Sequence, residues 1–254
     1  MMRETTVFGP IHSRRLGRSL GINLLPEKGK ICNFDCIYCE CGWNRDGRGD
    51  TVLPTAAKVR SDLEDKLTEL MLDGTRIDSI TFSGDGEPTL NPEFPRIIDD
   101  TLFLRDAYCP DAKVSVLSNA TRVHVPEVFE ALRKVDNPIL KIDAPTDALV
   151  AKINQPAPGY LLENVVTALE HFQGNFILQT MFLKSPDFDS ASPEVLQGWM
   201  DIVRRLKPRE VMVYTIDRPT PAPGIEAFSV EKMRSLVKPL IDEGFRIDIK
   251  GKDT

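Results

Sequence analysis

No stretch of this 254-residue sequence is apolar for long enough to span a bilayer. The residues following Met1 also lack the apolar core of a secretory signal, so neither a membrane protein nor an exported one is expected. Basic charge is not in excess: 32 Lys and Arg stand against 38 Asp and Glu, a formal charge of -6. That balance excludes a general nucleic-acid binder, while a local basic patch remains open. Histidine is scarce, with His12, His124 and His171 scattered along the chain. Cysteine is scarce too, and an odd count of five excludes a disulfide scaffold of the small secreted kind. There is no internal repeat and no low-complexity segment. What remains is the composition of an ordinary globular protein, 41% hydrophobic and 28% charged. The length suits a single domain over 1–254, in a reducing, cytoplasmic setting.

Four of the five cysteines crowd into residues 30–42, Lys-Ile-Cys-Asn-Phe-Asp-Cys-Ile-Tyr-Cys-Glu-Cys-Gly. Cys32, Cys36 and Cys39 are spaced C-x3-C-x2-C. A 4Fe-4S cluster normally takes four thiolates, so three on one loop would leave one iron open. Two other readings stand beside this one. Cys32, Cys36, Cys39 and Cys41 could nominally surround a zinc ion, although structural zinc sites usually pair ligands across two loops and Cys39-Glu40-Cys41 is awkward for that. Alternatively Cys41 or an outside ligand completes a cluster that only carries or senses electrons. Cys109 is the one cysteine outside the loop, so a second cysteine-bound cluster lacks ligands. Cys41 and Cys109 read as spectators.

The rest of the chain alternates strands with helices. After a short extension over 1–19, a first strand is expected at 20–25. A helix follows from N-cap Thr55, with Val59, Leu63, Leu67, Leu70 and Met71 on one face and Gly74 as its stop. Strands are then expected at 77–83, 113–117, 139–142, 176–183, 210–216 and 245–249. Helices are expected at 95–105, 126–135, 161–172, 193–206 and 230–243. This order predicts βαβ units, a parallel sheet, and an α/β fold of the partial (β/α)6 barrel type. In such barrels the chemistry sits at the C-terminal strand ends. Those ends carry Ser83-Gly84-Asp85-Gly86-Glu87-Pro88, Ser118-Asn119-Ala120 and Lys141-Ile142-Asp143-Ala144. Lys141 and Asp143 share one strand face, two charges where a barrel interior is mostly apolar, which points to a polar site or a structural ion pair. Gln179 can reach into the barrel from its strand. Arg218 can meet an anion, as can Arg14 and Arg15 in the run Ser13–Arg18.

Cys32, Cys36 and Cys39, with Tyr38 just before the third cysteine, resemble the signature of radical S-adenosylmethionine (radical SAM) enzymes. Phe8-Gly9-Pro10 with Ser13–Gly17, then Lys152–Pro156, Gln179–Met181 and Tyr214–Pro219, are similar to a largely uncharacterised iron-sulfur oxidoreductase branch of that family. That branch is related to the radical half of the tRNA wybutosine-synthesis enzyme. The resemblance covers essentially the whole chain. It implies a TIM-like partial barrel, one 4Fe-4S cluster held by Cys32, Cys36 and Cys39, and S-adenosyl-L-methionine as second cofactor. It also implies that Tyr38 packs near the adenine and that Gly84, Asp85, Gly86 and Glu87 hold the methionine amino group largely through backbone oxygens. Asp85 stands where a glycine of the family's Gly-Gly-Glu loop is usual. Ser118 and Asn119 would contact ribose or carboxylate, with Lys141, Asp143 and Gln179 as further cofactor-binding candidates. An external electron donor such as flavodoxin or ferredoxin is implied. The substrate is left open among small molecules, peptides and RNA.

Overall fold

The computed structural model describes residues 5–13, 16–47 and 49–251. Among these, the backbone forms two compact units. The first takes residues up to Cys32 with Asn44–Ser118 and Arg122–Pro138, and the second takes Asn33–Trp43, Asn119–Thr121 and the chain from Ile139 onward.

In the first unit, β1 (Val7–Ser13) pairs antiparallel with β2 (Gly17–Ile22), and β3 (Ser79–Phe82) and β4 (Lys113–Ser118) join in parallel. β1 has no counterpart in the sequence expectations. Gly9 and Pro10 interrupt its pattern, and its register breaks between Phe8 and Ile11, where a residue without an N–H is tolerated. The strand expected at 20–25 lies instead at Gly17–Ile22, because the Asn23 side chain takes the Leu25 N–H at 3.1 Å and turns the chain out of the sheet. The helices are α1 (Ala56–Leu72), α2 (Phe94–Tyr108) and α3 (Pro126–Lys134). Thr55 caps α1 by accepting the Lys58 N–H, and Val59, Leu63, Leu67 and Leu70 are buried. Met71 is 56% exposed, since one step past Leu70 rotates it about 100° off that face. Both faces of β3 are buried. Phe82 meets Phe94 of α2 edge-on, while Thr81, on the opposite face, bonds Ser19 at 2.7 Å.

The second unit contains β5 (Asn137–Lys141) from Ile139 onward, β6 (Ile177–Met181), β7 (Leu183–Ser185), β8 (Phe188–Asp189), β9 (Glu210–Tyr214), β10 (Glu226–Ala227) and β11 (Ile247–Lys250). β5, β6, β9 and β11 pair in parallel in that order. Parallel neighbours need crossovers, which α4 (Asp147–Ile153), α5 (Leu162–Glu170), α6 (Pro193–Leu206) and α7 (Val230–Asp242) supply. β7 is flanked by β8 and β10 in a small antiparallel sheet, so the strand expected at 176–183 divides in two. Phe182 marks the break, donating its N–H to Tyr214 O while its carbonyl accepts from the Thr215 hydroxyl. Thr180 fastens α6 to the sheet: its hydroxyl donates to Ile142 O at 2.7 Å and accepts the indole N–H of buried Trp199 at 2.9 Å. Among the described residues no helix is long and apolar enough to cross a membrane.

Candidate active site

In the first unit the turn after β3 is shaped by main chain. Ile31 donates its N–H to Asp85 O at 3.2 Å and its carbonyl accepts the Glu87 N–H at 3.0 Å, pairing the turn with the entrance to the cysteine loop. A Cβ on Gly86 would lie 1.9 Å from Ile31 O, and its φ is +138°, so only glycine fits. A Cβ on Gly84 would lie 1.9 Å from the Oδ1 of Asn23, the same oxygen that accepts the Asp85 N–H at 3.2 Å. The Glu87 carboxylate turns inward. It accepts from Thr89 N at 3.1 Å, from the Thr89 hydroxyl at 2.6 Å and from the Ser118 hydroxyl at 2.8 Å. Two residues expected at the cofactor, Glu87 and Ser118, are thus bonded to each other, and Asp85 is buried. Of the cations in the run Ser13–Arg18, Arg18 lies in β2 and donates to Arg76 O at 3.1 Å, and Arg14 and Arg15 lie outside the described residues.

In the second unit the cysteine loop is zipped to the end of α4. Asp35 N donates to Asn154 O at 2.9 Å, Ile37 N to Ile153 O at 3.0 Å, and Ala157 N to Asn33 O at 2.8 Å. Asn33 continues into a polar knot: it accepts from Asn119 Nδ2 at 2.7 Å and donates to the Thr121 hydroxyl at 2.6 Å, while Asn119 Oδ1 accepts from that hydroxyl at 2.7 Å. Ala120 takes φ +64° between them. No disulfide joins any of the five cysteines. Among the described residues no group of three or more His, Cys, Asp or Glu is arranged to hold a single metal ion. A cubane, in which each cysteine serves its own iron, does not require such convergence.

Beside Cys36 lies a network that draws on five segments. Lys141, ending β5, donates to the Tyr38 hydroxyl at 3.0 Å and to the Tyr214 hydroxyl at 2.7 Å. The Tyr38 hydroxyl donates to Asp143, whose other oxygen accepts the Met181 N–H at 2.8 Å. Asn154 Nδ2 stands 2.7 Å from Asp143 Oδ2, 3.1 Å from the Tyr38 hydroxyl and 3.3 Å from Cys36 Sγ. Burial pushes the Cys36 thiol up to about 11, and burial followed by the Asp143 charge pushes the Tyr38 phenol up. Burial works to lower the Lys141 ammonium, but the Asp143 charge and Tyr214 outweigh it, so the net direction is up and Lys141 stays charged. Lys141 and Asp143, read from strand alternation, are therefore joined with Tyr38. Gln179 sits beside Lys141 in β6, with its amide toward Met212 Sδ at 3.8 Å. Arg218 pairs with Glu40 at 2.9 Å on the surface. Asn154, Tyr214 and Asn33 are the participants that sequence reasoning did not single out. The signal for the first two lay in the strings 152–156 and 214–219.

The sequence model of the radical SAM superfamily matches residues 27–183. The UPF0026 protein of Helicobacter pylori strain J99 is 31% identical over 218 residues, covering 84% of this chain and 67% of that protein. Among solved structures, a radical SAM methyltransferase from Sphaerobacter thermophilus superposes with a TM-score of 0.69 at 17% identity, over 91% of this chain and 65% of that one. An archaeal TYW1 superposes with a TM-score of 0.56 at 11% identity, over 90% of this chain and 72% of that one. These likenesses carry the fold, which is the α/β partial TIM-like barrel expected from the strand and helix order.

Proposed function

The chain belongs to the radical SAM superfamily of enzymes, and from that premise we propose that Cys32, Cys36 and Cys39 hold one 4Fe-4S cluster whose fourth iron binds S-adenosylmethionine. The observation that carries the reading is the C-x3-C-x2-C triad on a loop fastened ahead of Cys32 and on both sides of Cys36. Ile31 is paired with the Gly84–Glu87 turn ahead of Cys32, and Asn33, Asp35 and Ile37, on either side of Cys36, are bonded to residues 153–157 at the end of α4. The residues suit the group: no cysteine is spent in a disulfide, and the half-buried Cys36 sulfur has an amide N–H donor at 3.3 Å, which favours a bound thiolate.

Held by Cys32, Cys36 and Cys39, the cluster would supply the electron for reductive cleavage of S-adenosylmethionine, the source of a 5'-deoxyadenosyl radical for hydrogen abstraction from the substrate. This chain's own residues bind and orient. Backbone oxygens of the 84–87 turn are the acceptors for the methionine ammonium. The amides and hydroxyls of Ser118 and Asn119 serve ribose or carboxylate, and charged Lys141 serves a carboxylate. The reductant is an external one-electron donor of the flavodoxin or ferredoxin type, and residues 1–254 act as one radical SAM domain.

Anaerobic reconstitution with iron and sulfide, followed by dithionite and S-adenosylmethionine, is expected to yield 5'-deoxyadenosine. Cys36→Ala is expected to abolish the product and Cys41→Ala to retain it. Absence of product from a chain with full iron and sulfide content, together with no affinity for S-adenosylmethionine, would replace this reading with an electron carrier.

A further inference from the structure

Asn154 is 1% exposed and closes α4 as its C-cap. Its side-chain nitrogen has two hydrogens and three acceptors within reach: Asp143 Oδ2 at 2.7 Å, the Tyr38 hydroxyl at 3.1 Å and Cys36 Sγ at 3.3 Å. The shortest contact, to a carboxylate, claims one hydrogen. The second is shared between the hydroxyl and the sulfur, a three-centre arrangement. The hydroxyl is already satisfied, since it donates to Asp143 and accepts from Lys141. The sulfur is therefore the acceptor that gains most when it carries charge.

Resting on the cluster assignment above, we propose that Asn154 is a positioning residue that sets the reduction potential of the cluster through its N–H···S bond to Cys36. An N–H donor to a cluster thiolate stabilises the electron-rich state more than the electron-poor one, so it raises the potential. Asp143 fixes the direction of the effect. By holding one amide hydrogen, it prevents the amide from flipping its oxygen toward the sulfur. The backbone of the same residue accepts the Asp35 N–H at 2.9 Å, so donor and loop move together.

The test is a redox titration of the reconstituted chain followed by EPR of the reduced cluster, comparing wild type with Asn154→Leu and Asn154→Asp. Leu preserves volume and removes both donors; Asp preserves shape and adds a negative charge. The equilibrium constant for reduction is expected to fall about tenfold in Asn154→Leu, ~59 mV for a one-electron couple, and further in Asn154→Asp, with iron and sulfide content unchanged. A wild-type chain that builds no 4Fe-4S cluster overturns the functional reading itself. A wild type that builds one, with an unshifted potential in both variants, overturns this inference alone. Failure of both variants to fold overturns it as well, because Asn154 would then be holding the fold rather than tuning the sulfur. Lower 5'-deoxyadenosine yield accompanied by the potential shift supports it.

Discussion

The turn at Gly84–Glu87 and the network at Lys141–Asp143 both follow a parallel strand, yet they are built from opposite parts of the chain. At the first, main chain does the shaping: Ile31 brackets the turn with two backbone bonds, and Gly84 and Gly86 let neighbouring atoms come closer than a Cβ allows. At the second, side chains from three segments and a main-chain N–H from a fourth meet around one carboxylate. A backbone-built turn tolerates little change in the residues that shape it, but its carbonyls are indifferent to the side chain at Asp85. Under the assignment proposed above, this is how a loop usually written Gly-Gly-Glu can carry an aspartate here. A side-chain network tolerates backbone drift but fails when one member is left charged or unpaired.

The comparison is broken most severely at Gly86. Gly86→Val places carbon against the Ile31 carbonyl at a φ that a branched residue avoids, and is expected to cost at least ~3 kcal/mol, read as a lowered urea midpoint. Asp143→Ala comes next. It strands the Tyr38 hydroxyl, the Met181 N–H and the Lys141 charge, for about 3 kcal/mol by the same measurement; a loss below ~1 kcal/mol would show the network to be a passive cluster.

A knot in the first unit sharpens the contrast. Asp136 accepts from the Val114 N–H at 2.9 Å, Arg105 at 2.7 Å and Lys113 at 3.1 Å. Burial works against this carboxylate, but those donors outweigh it and hold its pKa below the ordinary 3.8. The folded chain then binds that proton more weakly than the unfolded chain, so the stabilisation is present above 3.8 and lost as pH falls through the lowered value. Asp136→Asn is expected to cost about 1–2 kcal/mol at neutral pH, with the gap to wild type closing in acid. The smallest effect belongs to Arg218→Ala. Its exposed pair with Glu40 is expected to contribute under ~0.5 kcal/mol in thermal unfolding.

These differences also mark what could be read from sequence. The signals for α1, α6 and α7 are local, and so these helices were legible at 55–74, 193–206 and 230–243, the first with Thr55 as its cap. The cysteine spacing, the glycine turn and the Ser-Asn strand end are local as well. α4, at seven residues, is too short to display a helical period, and β8 and β10 at two residues each show no alternation. Lys141 and Asp143 betrayed themselves as charges on one strand face. Their partner Tyr214 lies 73 positions from Lys141, and Asn154 lies 118 from Cys36, separations at which no periodicity carries information.

The zip between residues 33–37 and 153–157 also orders events in time. The loop's N–H groups find their acceptors only after the end of α4 has been made, about 120 residues later, which at roughly 5–20 residues per second is on the order of ten seconds of synthesis. During that interval Cys32, Cys36, Cys39 and Cys41 leave the ribosome on an unshaped segment, as ordinary reactive thiols. Under the cluster assignment proposed above, cluster delivery is gated by the arrival of a helix that contributes no cysteine.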